Sequence, residues 1–452
     1  MSNLNENKMG TMPIAKLLIT MSLPMMASML VQALYNVVDS MFVSWISEDA
    51  LTALSLAFPI QNLMIGVATG TGVGMNAMLS RALGEKNDDR VQKAANNGVF
   101  LMLASSLVFI LFGVFGSKLF FELQTDNQTI ISYGNQYLTI CSVGSVFVFL
   151  QIIFERLMQA TGKTIYTMFT QGAGAIINLM LDPIFIFLFE MDVVGVALAT
   201  VLGQLVACII GILLNHKYNP EVKLNFKHFK PHGKTIWRIY SVGIPSIIMV
   251  GIGSIMNFSL NNMLLRFFSK TGVAIFGAYF KIQSFAFMPL FGMNNGVIPI
   301  IAYNYGAGKR SRVVQCIKLA VLFATLIMLI ALLVFQLFPE QLLSMFDASE
   351  EMLEFGVPAF RTISISYIFA GFCIAMGSVF QAFGKGLLSM MVSIARQLLA
   401  LVPTAYLIAV FTREINLFWF SFPIAEVISV MVSGVCFIWL YKKLIRHIPD
   451  NK

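Results

Sequence analysis

An aspartate followed directly by a proline interrupts a long apolar stretch in the first half of the chain. The segment NLMLDPIFIF covers residues 178–187, and its Asp182 and Pro183 lie inside the apolar run 165–189. Proline has no N–H and clashes with the carbonyl of residue i−4, here Leu179, so it predicts a kinked helix with a freed carbonyl oxygen. A buried ionisable group is costly, which makes the aspartate a candidate functional residue.

Three further polar residues can be placed at the depth of this aspartate. Asp182 lies about eight residues before the end of its stretch, Asp39 about seven before the end of the first stretch, and Thr200 about eight after the start of the next. At 1.5 Å per residue, all three lie about 10–12 Å below the same ends of their helices. Asn178 lies one turn from Asp182 on the same helix face. The four side chains can therefore converge.

Two carboxyls, an amide and a hydroxyl form a suitable cation site. Hard cations such as sodium prefer oxygen ligands, and an intramembrane carboxyl can instead carry a proton. We predict a coupling site that holds sodium or a proton. The sequence contains no nucleophile elbow, P-loop or dinucleotide fingerprint, so we expect neither an enzyme nor a bound cofactor. The predicted site consists of Asp39, Asn178, Asp182 and Thr200.

The elements that position these residues are predicted to be membrane-spanning helices. Of the 452 residues, 58% are hydrophobic and 12% are charged, whereas soluble chains carry about a quarter charged residues. Repeated apolar stretches are long enough to cross a ~30 Å hydrocarbon core. We predict an all-α integral membrane protein with twelve transmembrane helices, at about 14–45, 51–79, 95–121, 132–157, 164–189, 193–215, 238–266, 273–302, 313–338, 356–382, 386–411 and 417–441.

The charged loops predict the orientation of the chain. Lys and Arg gather in alternate connections, at 80–93, 215–238 and 307–312, and in the tail 441–447. Because positive loops stay inside, we expect a multi-pass protein of the cytoplasmic (inner) membrane with both termini cytoplasmic. Topology and anionic lipid account for the net charge of +8, so no nucleic-acid partner is expected.

The chain also contains an internal repeat. When the sequence is aligned with itself so that residue 157 falls on residue 379, LMQATGK at 157–163 falls on VFQAFGK at 379–385. We call this shift the repeat offset. Six spans are thereby duplicated in one orientation, which predicts two six-helix bundles related by an axis along the membrane normal. We predict an N-terminal lobe over residues 1–222 and a C-terminal lobe over 223–452, joined by a cytoplasmic linker at about 215–238.

The repeat provides a control for the predicted site. Maintenance of the fold alone would not require two acids in only one of two copies. Both acids are missing from the second copy, where the four positions are occupied by Asn261, Ala400, Thr404 and Phe422.

Several segments resemble the multidrug and toxic compound extrusion (MATE) transporters, most closely their DinF-type prokaryotic branch. They are LPMMASMLVQALYNVVDSMFVSWI at 23–46, MQATGK at 158–163, INLMLDPIFIF at 177–187 and VVGVALATVLGQ at 193–204. The resemblance implies a proton- or sodium-coupled antiporter that exports cationic or amphipathic drugs and toxins and thereby confers antibiotic resistance. It also implies that the cation site is carried by Asp39, Asn178, Asp182 and Thr200.

Another branch of the family has acids in spans seven and ten. Here those spans offer only amides such as Asn257 and Gln381, so a sodium site in the second lobe is not expected. We predict that Pro24, like Pro183, kinks its helix, and that the protein acts as a monomer in the lipid bilayer. The substrate cavity is predicted to be lined by Gln32, Tyr35, Asn36, Met293, Asn294 and Asn295.

Two other functions remain open at this point. A flippase for lipids or lipid-linked oligosaccharides of the same superfamily would share the architecture but would need a strongly cationic cavity. A membrane-embedded enzyme or receptor without transport is the alternative from another class.

Overall fold

The computed structural model describes residues 7–227, 229–346 and 348–450. Within these ranges the chain is helical, with one isolated bridge between Lys309 and Asp450. Ten helices are long and apolar enough to span a membrane, and two bent helix pairs bring the number of spans to twelve. The predicted all-α class and the twelve spans are confirmed. Large apolar side chains such as Phe115 (79% exposed) and Phe411 (80%) remain on the surface, as expected of a protein surrounded by lipid.

Six spans form the N-terminal lobe. The fourth span is bent by 44° between two helices, and the fifth changes from α- to π-helical hydrogen bonding near its end. The spans are α1 Ile14–Ser44, α2 Glu48–Gly84, α3 Asp88–Phe115, α4 Gln128–Val143 with Ser145–Ala160, α5 Thr164–Pro183 with the π-helical Ile184–Leu188, and α6 Asp192–Tyr218.

Six further spans form the C-terminal lobe. Its fourth span is bent by 47°, and its fifth again contains a π-helical segment. The spans are α7 Gly233–Phe267, α8 Lys270–Gly306, α9 Arg310–Leu337, α10 Glu350–Ser364 with Tyr367–Ala382, α11 Gly386–Ile394 with the π-helical Ala395–Leu401 and Val402–Thr412, and α12 Ile415–Phe418 with Ser421–Lys443. Short helices cover Lys8–Thr11, Ser117–Glu122, Pro339–Ser344 and Ile445–His447.

The helix ends reproduce the repeat seen in the sequence. Helices α2 and α8 begin at Glu48 and Lys270 and end at Gly84 and Gly306, so the repeat offset separates them at both ends. The same spacing relates α3 to α9, the short helix after α3 to the one after α9, and both halves of α4 to those of α10, apart from a difference of one residue where the first half ends. Since the bent spans also correspond, the bend belongs to the repeated unit.

The lobes contact each other near one end of the bundle. This end carries residue 7, the connection between α6 and α7, and the C-terminal tail; we call it the linker face and the opposite end the distal face. Helix α1 packs along α8, and α2 packs along α7. In the described residues, the hydrogen bonds that cross between the lobes all lie toward the linker face, including those from Ser22 to the Met293 carbonyl (3.4 Å) and from Arg156 to Asn295 (2.8 Å).

Both chain ends reinforce the linker face. The Met9 carbonyl, just before α1, accepts hydrogen bonds from Asn304 (2.9 Å) and Arg312 (3.0 Å) of the C-terminal lobe. In the tail, Asp450 accepts from the backbone N–H and the hydroxyl of Ser311, both at 2.9 Å. These two bonds hold the pKa of Asp450 below its usual range, because they stabilise the ionised carboxylate.

The apolar interior differs between the lobes. The buried apolar side chains of the C-terminal lobe form one large cluster, which also includes the first turns of α1 and part of α2. The other buried apolar side chains of the N-terminal lobe form two separate clusters, one around Met75 and Leu157 toward the linker face and one around Val43 and Val193 toward the distal face. The interruption leaves room for polar side chains inside the N-terminal lobe.

Candidate functional site

The four residues predicted to bind a cation lie together inside the N-terminal lobe. On α5, Asn178 and Asp182 are 2% and 0% exposed. The Asn178 amide donates to the hydroxyl of Thr200 on α6 at 3.3 Å. On α1, the half-buried Asp39 places its carboxyl beside that of Asp182. Three helices thus supply the two carboxyls, the amide and the hydroxyl.

Two glycines bring α5 and α6 together beside these side chains. A Cβ at Gly203 would lie 2.7 Å from the Gly174 carbonyl oxygen and 3.1 Å from the Asn178 Cβ. Real Cβ atoms cannot approach a backbone oxygen so closely, so only glycine permits this helix spacing. The close approach keeps Thr200 within reach of Asn178.

Pro183 marks a change in helix geometry at the site. The α-helical part of α5 ends at Pro183, and the π-helical segment Ile184–Leu188 follows at once. Proline cannot donate the usual hydrogen bond, and π-helical turns often occur at functional sites. The kink predicted at Pro24 stays a prediction. Helix α1 is continuous through this residue, and the Pro24 carbonyl accepts a hydrogen bond from the Ser28 hydroxyl at 2.9 Å.

Four buried oxygens at the site have no hydrogen-bond donor: Asp39 Oδ1, Asn178 Oδ1 and both carboxylate oxygens of Asp182. In the described residues, no ion pair joins either aspartate to Lys, Arg or His. An uncompensated buried carboxylate is strongly unfavourable. These oxygens therefore fit a bound proton or a hard cation such as sodium. The described residues contain no group of three His, Cys, Asp or Glu side chains that would suit a transition metal.

Three aromatic or amide side chains extend the site. The hydroxyl of Tyr35, predicted to line the substrate cavity, faces Thr200 and both aspartates. Tyr137 on α4 was not among the predicted residues; it lies near Asp39, and its hydroxyl accepts from the Gln61 amide of α2 at 2.8 Å. Tyr137 is about nine residues into α4, or ~13 Å from its distal end, so the depth comparison could have found it.

The remaining predicted cavity residues have different environments. On α1, Gln32 is half-buried and Asn36 is exposed. On α8, Met293, Asn294 and Asn295 are at least nine-tenths buried in helix contacts rather than lining an opening. The reason is that α8 packs against α1 at this depth, while Asn294 donates weakly to the Ile374 carbonyl of α10 (3.5 Å). Their contact with substrate remains a prediction.

The corresponding positions of the C-terminal lobe are filled differently. Phe422 takes the place of Thr200, and its ring packs on Phe276 (6.3 Å) and Tyr279 (6.0 Å). Ala400, which corresponds to Asn178, is 3% exposed. Aromatic and aliphatic packing therefore closes the region that is polar in the N-terminal lobe.

Two repeated six-helix lobes, closed together at one face and with an acidic pair inside one of them, are the architecture of the class of secondary transporters. Within that class, residues 24–184 and 245–407 match the MatE family model, and the chain belongs to the MatE family.

Curated relatives and solved structures agree with this assignment. The chain is 26% identical over 378 residues to the multidrug export protein MepA of Staphylococcus aureus strain MSSA476, covering 83% of each chain. It is 25% identical over 422 residues to MepA of Staphylococcus haemolyticus strain JCSC1435, covering 93% of this chain and 92% of the relative.

The fold is similar to that of solved MATE structures. One is a MATE crystal structure in complex with MaL6, with a TM-score of 0.93 and 24% identity, covering 98% of this chain and 100% of the other. Another is the outward-facing conformation of a multidrug resistance MATE family transporter of the MOP superfamily, also with a TM-score of 0.93 and 24% identity, covering 99% and 100%. These similarities establish the fold.

Proposed function

We propose that this protein is a multidrug efflux antiporter, which uses the entry of a proton or sodium ion to export cationic or amphipathic small molecules. Membership of the MatE family makes it a transporter rather than an enzyme. The observation that carries the proposal is the adjacent pair Asp39 and Asp182, of whose four carboxylate oxygens three are buried without a protein donor. The substrate class is inferred from relatives named multidrug export protein.

The acidic pair can exchange one ligand for another. Two adjacent carboxylates repel each other, and a proton or sodium ion between them relieves this repulsion. Asn178 Oδ1, also without a donor, and the Thr200 hydroxyl complete an oxygen-only set for sodium. A cationic drug would compete for the same negative charge. Cation entry would therefore favour drug release.

The orientation follows from the charge pattern. With the basic loops inside, the linker face is cytoplasmic, and both termini lie in the cytoplasm. The lobes touch near this face, so this conformation corresponds to a closed cytoplasmic side and a site reached from outside. We further propose that one chain in the cytoplasmic membrane is the functional unit, with lipid and small molecules as its partners and without cofactor or nucleic acid.

Ethidium efflux from proteoliposomes tests the proposal. Purified protein would be reconstituted and supplied with an imposed pH gradient or an imposed sodium gradient, at a clamped membrane potential. We expect one gradient to drive efflux in the wild type, and Asp182→Asn to reduce the driven rate at least tenfold, because the amide cannot provide the charge that competes for cations.

The matched control replaces an exposed loop aspartate on the distal side, Asp126→Asn. This variant should retain the wild-type rate. Gradient-driven efflux that survives in Asp182→Asn would contradict the role of the pair, and absence of efflux in the wild type under both gradients would contradict cation-coupled export.

A further inference from the structure

A buried charge pair lies inside the C-terminal lobe. Arg396 on α11 donates through Nη1 to Glu426 Oε1 on α12 at 3.0 Å. Their side chains are 25% and 10% exposed. Arg396 lies about ten residues from the start of α11, which places it ~15 Å from the linker-face end of the helix. The pair is therefore near the middle of the membrane.

Four helices surround the pair. Tyr279 of α8 and Cys373 of α10 lie close to both charges. Ser429, one turn after Glu426, donates to the Cys373 sulfur at 3.2 Å. The site thus occupies the interior of the C-terminal lobe, as the acidic pair occupies the interior of the N-terminal lobe.

The repeated fold does not require this pair. Under the repeat offset, Gly174 and Gln204 hold the corresponding positions of the N-terminal lobe. There, α5 and α6 pack through glycine at the same level without any ion pair. A buried ion pair rarely adds stability over apolar packing, because both charges lose their hydration. The pair is thus a candidate for function.

Helix geometry points to the same place. The π-helical segment Ala395–Leu401 includes Arg396. In α5, the π-helical segment Ile184–Leu188 instead follows Asp182 closely. Helices α5 and α11 therefore depart from α-helical geometry at different depths, and each does so beside its own buried charge. Since such turns are frequent at functional sites, the local geometry supports a role for Arg396 beyond packing.

The pair has unused binding capacity of both signs. A guanidinium carries five N–H donors, and the contact with Glu426 uses one nitrogen. Glu426 Oε2 is buried and no N–H or O–H group of the described residues donates to it, with the Cys373 thiol as the nearby weak donor. Charged side chains at this depth usually face the interior of the bundle or an aqueous cavity rather than lipid, and the Arg396 side chain is 25% exposed. Free guanidinium N–H groups beside a carboxylate oxygen suit a ligand that carries both a negative and a positive group.

We propose that Arg396 and Glu426 form a second ligand site, which binds zwitterionic molecules. The ligand's carboxylate would accept from the free guanidinium N–H groups, and its amino N–H would donate to Glu426 Oε2. A cation without a carboxylate would gain nothing from Arg396. The role of the site in export rests on the proposed function, but binding can be measured without it.

Two dyes that differ in one methyl ester test the site. Rhodamine 110 has a free carboxylate and primary amino groups, and rhodamine 123 is its methyl ester. Binding of each dye to purified protein would be followed by fluorescence polarisation. In the double variant Arg396→Gln/Glu426→Gln, which leaves no unpaired buried charge, we expect the affinity for rhodamine 110 to fall at least tenfold and that for rhodamine 123 to stay within twofold.

Arg396→Lys provides a second measurement that keeps the charge balance. It removes the planar guanidinium that binds a carboxylate through two N–H groups. Rhodamine 110 should therefore bind three- to tenfold more weakly, and the affinity for rhodamine 123 should not change. Unchanged or equally weakened binding of both dyes in either variant would overturn the site. Ethidium efflux by the wild type, measured in parallel, separates this result from failure of the proposed export function.

Discussion

The two lobes share a scaffold but differ in what they bury. Their spans α2–α4 and α8–α10 begin and end at corresponding positions, including the bends of 44° and 47°. Inside, the N-terminal lobe separates two apolar clusters with an acidic site, whereas the C-terminal lobe has one cluster and an arginine–glutamate pair. Backbone geometry follows the repeat, and the chemistry of the interior is specific to each copy.

The loops on the linker face show the same divergence. Arg90 and Arg312 occupy equivalent positions of the two copies. Arg90 stays within its own loop and pairs with Glu85 at 2.5 Å. Arg312 reaches the N-terminal segment, donating to the carbonyls of Met9 (3.0 Å) and Met12 (2.7 Å). One inherited arginine thus serves a surface ion pair in one lobe and a contact between chain segments in the other.

The largest expected effect tests what the lobes share. A Cβ at Gly84 would lie 2.0 Å from the Tyr303 carbonyl oxygen, and one at Gly306 would lie 2.2 Å from that of Arg81. Gly84→Ala and Gly306→Ala should each destabilise the closed linker face by about 3 kcal/mol, because α2 and α8 must separate. Thermal unfolding of the purified variants in detergent would measure this.

Gly172→Ala is the matched control, since a Cβ there meets nothing within 4 Å. It should be neutral or stabilising by up to about 1 kcal/mol, as expected for alanine in a helix. If Gly84→Ala and Gly306→Ala differed strongly from each other, the symmetry of the helix crossing would be refuted.

The second prediction tests where the lobes differ. Arg312→Gln should destabilise the protein by about 2 kcal/mol, because carbonyls and Asn304 lose charge-assisted donors. Arg90→Gln should cost about 0.5 kcal/mol, since its side chain is 46% exposed and the pair is screened by solvent. Proteolysis of the N-terminal segment should accelerate in Arg312→Gln only. Equal effects on stability would show that the two arginines are equivalent.

Much of the architecture could be predicted from the amino-acid sequence. Hydrophobic length determines the spans, because a helix must cross a fixed thickness of lipid. The repeat offset predicted the duplicated bundles, whose helix ends reproduce it. Counting residues from the helix ends was enough to bring Asp39, Asp182 and Thr200 together. These inferences need only helix rise and periodicity, which are the same in every sequence.

Other features depend on packing that a single sequence does not reveal. Asn295 is predicted to line the cavity, and the sequence does not reveal that its side-chain oxygen accepts a hydrogen bond from Arg156 across the lobe contact at 2.8 Å. The depth of Tyr137 could be computed from its position in α4. It was still missed, because the spacing of residues along the sequence does not show which face of α4 points toward α1. Helix rotation and the closed state of the lobes determine both, and neither follows from hydropathy.

The smallest expected effect separates the two helix contacts that flank the buried sites. Gly203→Ala would force α6 away from the Gly174 carbonyl, costing about 1 kcal/mol and lengthening the bond between Asn178 and Thr200. In the C-terminal lobe, Ala425 occupies the position of Gly203, and Arg396 and Glu426 bridge α11 and α12 beside it. Ala425→Gly should cost a similar ~1 kcal/mol through helix propensity yet leave ethidium efflux unchanged, whereas Gly203→Ala should slow efflux severalfold. Equal efflux by both variants would mean that the glycine contact serves only packing and does not hold the cation site in shape.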